Sequence, residues 1–402
     1  MKVKIVACFL SITLTGCALP QPSQSDGFAE SQAIERISKI PSEILSEIQS
    51  KNPDEEEEFL HTCLEFYQND KPDSDFEELS WIQTMAEYLG SKGYTAVDSK
   101  NQIDMTKPEQ AIEFCQRAEN GQEGRLTLIE VIDSKGLVKY DFQTQDSRIE
   151  VEKKYFEYQD GVLKLADLGR FSAENWNYYE EDGYFMFSGV YFSEESYALT
   201  LSGEEEYKAF RVKHLPERCR ELNRDYVMPV GYESNNLFIT NWSEEEFGDL
   251  NFYDLYDRFC FLTGAPYVPQ GSYETSENSG IYRIPAESFE SIIQKFIHID
   301  SETLREKTDY HAEDNTYESR PRGFEEAEYP EYPYPEVVDF AENADGTVSM
   351  MVHAVFPYKG VSKACVHEVT VRPLEDGQIQ YVSNRIISPE ESWEAGWHKP
   401  RR

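Results

Sequence analysis

Apolar positions in the first quarter of the chain recur at helical spacing. Ile34 and Ile37, then Ile44, Leu45 and Ile48 after Pro41, form one such set, and Phe59, Cys63, Phe66 and Tyr67 form the next. Leu79, Ile82, Ala86 and Leu89 repeat the pattern. Thr106 with Glu109 three residues on reads as a capping box for a further helix, which Gly121 should stop. Residues 31–121 are therefore expected to be mainly helical. From Arg125 the period changes to two. Leu126, Leu128, Glu130 and Ile132 alternate with Thr127, Ile129 and Val131, and Leu137–Thr144 and Ile149–Tyr158 continue in β-favouring residues. Ser134-Lys135-Gly136, Gln159-Asp160-Gly161 and Glu181-Asp182-Gly183 sit between such runs, where Gly supplies the positive φ of a tight turn.

The second half keeps this grammar. Short helical insertions are expected near Pro216–Leu222, and Phe252, Leu255, Tyr256, Phe259 and Cys260 predict a helix that ends at Gly264. Pro266–Gly280 is rich in turn-formers and is the best candidate linker. Beyond it, Phe289, Ile292, Ile293 and Phe296 predict a helix begun by Pro285, with a second short one from Asp300 or Ser301. Val348–Phe356, Cys365–Arg372 and Gln378–Ile386 alternate as strands around turns at Asp345-Gly346 and Asp376-Gly377. Tyr329–Pro335 must be extended, and its three prolines exclude a central strand there. The predicted class is α+β: an N-terminal helical segment (31–121), an antiparallel β-meander with helical insertions (122–265), a linker (266–280), a C-terminal domain of helices and antiparallel sheet (281–388), and a tail (389–402).

The N-terminus has a different pattern. Lys2 and Lys4 precede a mostly apolar run, Ile5–Leu14, that ends in small residues, the layout of an export signal. The run is shorter than the roughly 20 apolar residues a spanning helix needs. Leu14-Thr15-Gly16-Cys17 resembles the lipobox of bacterial lipoproteins. The resemblance implies a signal peptide of residues 1–16, a diacylglyceryl group on the Cys17 sulfur, and a flexible lipidated tether over 17–30. Membrane lipid is then the expected partner of Cys17, and the outer face of the cell membrane the expected location. Cleavage after Ala18 by an ordinary signal peptidase is the competing reading, because Gly16-Cys17-Ala18 also fits the small-x-small pattern that precedes such a cut.

Charge narrows the partners further. Asp and Glu number 76 against 38 Lys and Arg, a formal charge of −38. Losing Lys2 and Lys4 with the signal makes it more negative. Nucleic-acid binding needs clustered bases to displace counterions, so that role is excluded. An acidic surface also avoids anionic headgroups, which leaves lipid as the sole expected attachment. Aromatics at 13% argue for a folded body despite the charge. His398-Lys399-Pro400-Arg401-Arg402 is basic and is expected to fray.

Five cysteines remain in the body, Cys63, Cys115, Cys219, Cys260 and Cys365. Their wide spacing points to buried thiols, with a Cys63–Cys115 disulfide as the alternative. Common nucleotide-binding and hydrolase motifs do not occur. A hairpin symmetric about Gly360 would set His353 opposite His367, with Cys365 on the same face, a set that suits zinc or copper; packed strand residues are the competing reading. Asp73, Asp75 and Glu77 offer oxygens to calcium but lack the turning Gly, and Asp75 with Glu78 reads as a helix cap. Trp176, Tyr178 and Tyr179 beside Asn175 and Asn177, and Trp242, are candidates for stacking on sugars, against ordinary sheet packing. No cofactor is expected.

Tyr282-Arg283-Ile284-Pro285, Arg320-Pro321-Arg322-Gly323-Phe324, Tyr334-Pro335-Glu336-Val337-Val338 and Val371-Arg372-Pro373-Leu374 resemble the C-terminal part of an uncharacterised family of Gram-positive surface lipoproteins. Met228-Pro229-Val230-Gly231-Tyr232 and Asn235-Asn236-Leu237-Phe238 extend that resemblance upstream. It implies a similar plan and carries over no site. The C-terminal plan also slightly resembles cystatin-like and nuclear-transport-factor-like folds, which form a pocket between helix and sheet. The expected function is a non-catalytic surface lipoprotein that binds a protein or cell-wall partner. A ligand- or glycan-binding lipoprotein is the alternative, and a hydrolase the third reading.

Overall fold

The computed structural model describes residues 53–69, 78–133, 136–145, 148–192, 202–275, 280–320, 322, 331–375, 377–387, 396–399 and 401. The expected signal, Cys17, the tether, the Ile34–Ile48 helices and the Asp73–Glu77 acids lie outside the described residues. Contacts group Glu57–Arg402 into one compact unit, separate from Met1–Glu56. The class is α+β.

Helices α1 (Pro53–Asn69) and α2 (Glu78–Ser91) bury the faces their spacing predicts: Phe59, Cys63, Phe66 and Tyr67 meet Ile82, Ala86 and Leu89 in one core. That core covers one face of a five-stranded sheet ordered β1-β2-β3-β4-β5, in which β1 is Thr95–Asp98. β2 (Arg125–Val131), β3 (Gly136–Gln145), β4 (Arg148–Gln159) and β5 (Val162–Ser172) are the predicted antiparallel meander. Asp160 (φ 55°) and Gly161 (φ 82°) both adopt positive φ, as a two-residue hairpin matched to strand twist demands.

Two details within 31–121 differ from expectation. Thr95–Asp98 is a strand, β1, parallel to β2 and buried at all four positions; a four-residue run is too short for periodicity to reveal. Thr106 does not cap helix α3 (Pro108–Glu119), whose cap residue is Lys107 with φ 51°. The Thr106 hydroxyl instead accepts the Ala96 N–H at 2.9 Å and so closes the free edge of β1. Gly90 makes this approach of α2 possible, since an added Cβ would lie 2.7 Å from Thr106 Cβ.

The other face of the sheet packs on α3 and on a three-stranded sheet, β6 (Asn175–Tyr179), β7 (Tyr184–Tyr191) and β8 (Glu204–Arg211). β7 is apolar on both faces. Phe185 and Phe187 point into this core, whereas Tyr184 and Met186 point toward Val355 of the C-terminal sheet.

That last sheet is ordered β14-β15-β16-β17-β9, from β14 (Tyr334–Glu342), β15 (Val348–Phe356), β16 (Val361–Pro373), β17 (Ile379–Ile386) and β9 (Trp242–Ser243). The Pro-containing β14 is an edge strand, as Pro335 requires. On this sheet lie α4 (Glu217–Leu222), α5 (Phe252–Thr263), α6 (Ala286–Phe296) and α7 (Ser301–Glu306). A small sheet of β10 (Tyr273–Glu274), β11 (Tyr282–Pro285), β13 (Thr316–Ser319) and β12 (Tyr310–His311) flanks them. One continuous core runs from Cys219 through Cys260 to Trp397, so residues on both sides of 266–280 share it. Among the described residues no helix is long and apolar enough to cross a membrane.

Candidate functional site

Helix α5 is set by its ends: the Asn251 side chain accepts from the N–H groups of Tyr253 and Asp254, and Gly264 closes the helix at φ 68°. Leu255, Tyr256, Phe259 and Cys260 face the core. The opposite stripe, at spacings of three, four and seven, carries Asp254, Asp257, Arg258 and Phe261. Beside α5 open three cavities of about 250, 260 and 240 Å³, the second and third of them on that stripe. They are neighbours: Arg401 lines the first and third, and Asp257 and Tyr267 line the second and third.

Arginines brought from distant parts of the chain organise the floor. Arg322 grips Asp254 with two parallel hydrogen bonds of 3.1 and 2.7 Å. Arg401 reaches Asp257 at 2.9 Å and Asp254 at 3.4 Å, and also donates to the Arg320 carbonyl. Burial raises the Asp254 and Asp257 pKa values above the ordinary aspartate range, outweighing the arginines that pull them down. The basic tail is therefore not frayed at Arg401, whose side chain is 5% exposed, and Trp397 is buried against Phe356 and Tyr232. The buried Asp254 and the partly exposed Asp257 supply what a terminus alone lacks, a fixed counter-charge.

Arg258 is different. Its carboxylate contact is Glu233 at 3.7 Å, beyond hydrogen-bond length, and its Nε lies buried with no partner among the described residues. Its guanidinium sits 5.4 Å from the Phe261 ring, and burial lowers its pKa from the usual arginine value. Around it the rim is exposed and apolar: Phe261 is 64% exposed, Tyr267 49% and Val268 46%. No spacing in the sequence joins Arg258, Arg322 and Arg401; the only local signal is the Asp254, Asp257, Arg258 stripe on a helix whose other face is core.

The residues singled out from sequence fall elsewhere. The β15–β16 pairing sets Val352 opposite His367 and His353 opposite Val366, with an irregularity between Ala354 and Phe356. The turn Pro357–Lys359 breaks the symmetry about Gly360, and a slip of one residue turns a side chain to the other face. Cys365 and His367 share the core face while His353 points away toward Asp182 and Lys363, so the expected three-ligand set does not form. Among the described residues no group of three His, Cys, Asp or Glu is placed to hold a metal. All five body cysteines are buried and none is in a disulfide, with Cys63 and Cys115 in different cores.

His367 has a structural role. Asn384, whose amide N–H donates to the Thr240 carbonyl, presents its oxygen to Nδ1 at 2.7 Å, so Nδ1–H donates and Nε2 accepts the Tyr232 hydroxyl at 2.8 Å. Burial of this neutral ring lowers its pKa from 6.5 to about 4. Below pH 6.5 the unfolded chain takes up a proton the folded chain refuses, so stability falls as pH drops toward 4, by about 3 kcal/mol across the window. Urea unfolding at several pH values should show this slope reduced in His367→Asn. An unchanged slope would assign the acid sensitivity to other groups.

Trp176, Tyr178, Tyr179 and Trp242 do not form one surface. Trp176 and Tyr178 belong to the core between the first two sheets, Tyr179 donates to the Gly360 carbonyl at 2.6 Å, and Trp242 is buried with its indole N–H on the Leu237 carbonyl at 2.9 Å.

A family match covers residues 49–401, which includes every residue of the α5 cleft. The chain belongs to a family of unknown function (DUF6070). No curated protein and no solved structure matches it. The DUF6070 match begins downstream of the expected signal and tether and ends at Arg401, the residue that closes the cleft floor.

Proposed function

We propose that this DUF6070 chain is a non-catalytic binding protein, held by lipid on Cys17 at the outer face of a Gram-positive cell membrane, that docks a protein or cell-wall partner on the rim of the α5 cleft. The lipobox-like Leu14-Thr15-Gly16-Cys17 and the resemblance to surface lipoproteins support the location. The observation that carries the binding role is the solvent-facing trio Phe261, Tyr267 and Val268 beside paired, rigid charges. Aromatics of this kind, next to arginine, form the centre of binding surfaces more often than their numbers on ordinary surface warrant. The cavities, each near 250 Å³, fall below the size that encloses a drug-sized ligand, which favours a surface that grips one protruding group of a larger partner.

A photoreactive residue at position 268 should give a discrete cross-linked adduct on intact cells. Phe261→Ser together with Tyr267→Ser should reduce that adduct roughly tenfold or more, since one lost aromatic anchor alone is worth about 2 kcal/mol. An adduct of equal intensity in the double variant would remove this face from the partner's footprint.

A further inference from the structure

We infer that the α5 cleft is a carboxylate-binding site, in which Arg258 takes the anionic group and the Phe261–Tyr267 rim takes the ring or apolar body attached to it. The inference rests on the binding role proposed above and names the chemistry of the docked group.

Three observations converge on Arg258. The chain has twice as many acids as bases, so an arginine without a close carboxylate is unexpected on composition alone. Its cleft neighbours Arg322 and Arg401 hold carboxylates at 2.7 and 2.9 Å, whereas Arg258 has Glu233 at 3.7 Å and a buried Nε with no acceptor. A guanidinium taken out of water in this way loses hydration that only charge-assisted hydrogen bonds replace, and a carboxylate fits its fork with two parallel bonds. Finally, Arg258 lines a cavity of about 260 Å³ with Phe261 and Tyr267, so the side chain borders space that a ligand can enter.

The surrounding charges explain selectivity. Asp254 and Asp257 are engaged by Arg322 and Arg401 and so do not compete for Arg258. Glu233, 47% exposed and beyond hydrogen-bond length, is a loose counter-ion that an incoming carboxylate displaces without breaking a close pair. Phosphate or sulfate would bring more charge to a cavity already lined by three carboxylates, Glu233, Asp254 and Asp257, which favours a singly charged group. The carboxylate can come from a peptide C-terminus or from an acidic sugar, and the rim accepts the flat face of either.

The test is calorimetric titration of the full-length chain with N-acetylphenylalanine, with its neutral amide, and with glucuronate. N-acetylphenylalanine should bind while its amide does not, and glucuronate binding would identify a sugar source in addition. Arg258→Gln should weaken binding roughly tenfold or more, Arg258→Lys by less, because an ammonium keeps the charge and loses only the two-pronged geometry, and Glu233→Gln should tighten it. Arg258 holds no close ion pair in the fold, so these variants should keep a melting temperature near wild type. Binding that survives in Arg258→Gln, equal binding of acid and amide, or no binding of either acid at millimolar concentration would each overturn the assignment. Position-268 cross-linking that persists in the last case would leave the docking face standing and reject only its carboxylate chemistry.

Discussion

Arg211→Ala is expected to cost about 3–5 kcal/mol of stability, a large part of the 5–15 kcal/mol that holds a typical domain together. Arg211 is 6% exposed and donates to Glu336 at 2.6 Å and to the Asp182 carbonyl at 3.2 Å, with its guanidinium 5.0 Å from the Tyr184 ring. Glu336 accepts from Arg211 and Tyr184 on one oxygen, and its other oxygen is buried without a partner among the described residues. Desolvation raises the Glu336 pKa even with Arg211 in place. Without the arginine the carboxylate must stay buried and charged or take up a proton. A folded pKa above the unfolded one means stability is retained at low pH and lost as pH rises through the window between them. Arg211→Ala should therefore be more destabilised at pH 7 than at pH 5. Replacing the pair together, Arg211→Met with Glu336→Leu, should recover most of the loss. Urea unfolding at the two pH values checks all three statements, and a single-variant cost below about 1 kcal/mol would show that water reaches Glu336.

The same pair marks where sequence reading stops. β2–β5 of the meander and β15–β17 of the C-terminal sheet were legible because one face is buried and alternation is local: Val348, Met350, Val352 and Ala354 are core, with Ser349, Met351 and His353 between them, whereas β14 was not read as a strand. Turns were legible because only a few residue types tolerate positive φ, as at Asp160-Gly161. Pairing between segments was not. Trp242 and Ser243 join the C-terminal sheet beside β17, and Asn101 donates to the Ala209 carbonyl and to Tyr334 at 2.8 and 3.1 Å, contacts that span more than a hundred residues and leave no periodic trace. The candidate His353, Cys365 and His367 set meets the same limit. A hairpin's register depends on its turn, and one irregularity near Phe356 separated His353 from His367.

The α5 cleft shows both limits at once. That Asp254, Asp257, Arg258 and Phe261 share a stripe follows from helical spacing, and that Leu255 and Phe259 oppose them follows from amphipathicity. That Arg322 and Arg401 arrive to neutralise the aspartates, leaving Arg258 with only a distant glutamate, depends on tertiary contacts alone. A charge count of the sequence reads this face as acidic and solvated; the fold pairs the acids and leaves one base under-partnered.

The second large effect concerns the other end of the chain. Under the proposed function, Cys17→Ser should move the protein almost entirely from the membrane to the soluble fraction. Each buried methylene contributes about 0.8 kcal/mol, so one acyl chain holds a protein only marginally and reversibly, and the second makes the attachment durable. Among the described residues no helix is long and apolar enough to span, and the net charge of −38 repels anionic headgroups. Serine keeps the size of the residue and removes the sulfur that the diacylglyceryl transfer uses. Phase partition in a clouding detergent, with the body's melting temperature as a control, separates lost anchorage from lost folding. Equal partition of the two proteins would mean that Cys17 carries no lipid. Mass spectrometry finding Leu19 as an unmodified N-terminus would assign cleavage after Ala18 instead, and the docking face would then belong to a protein released from the cell.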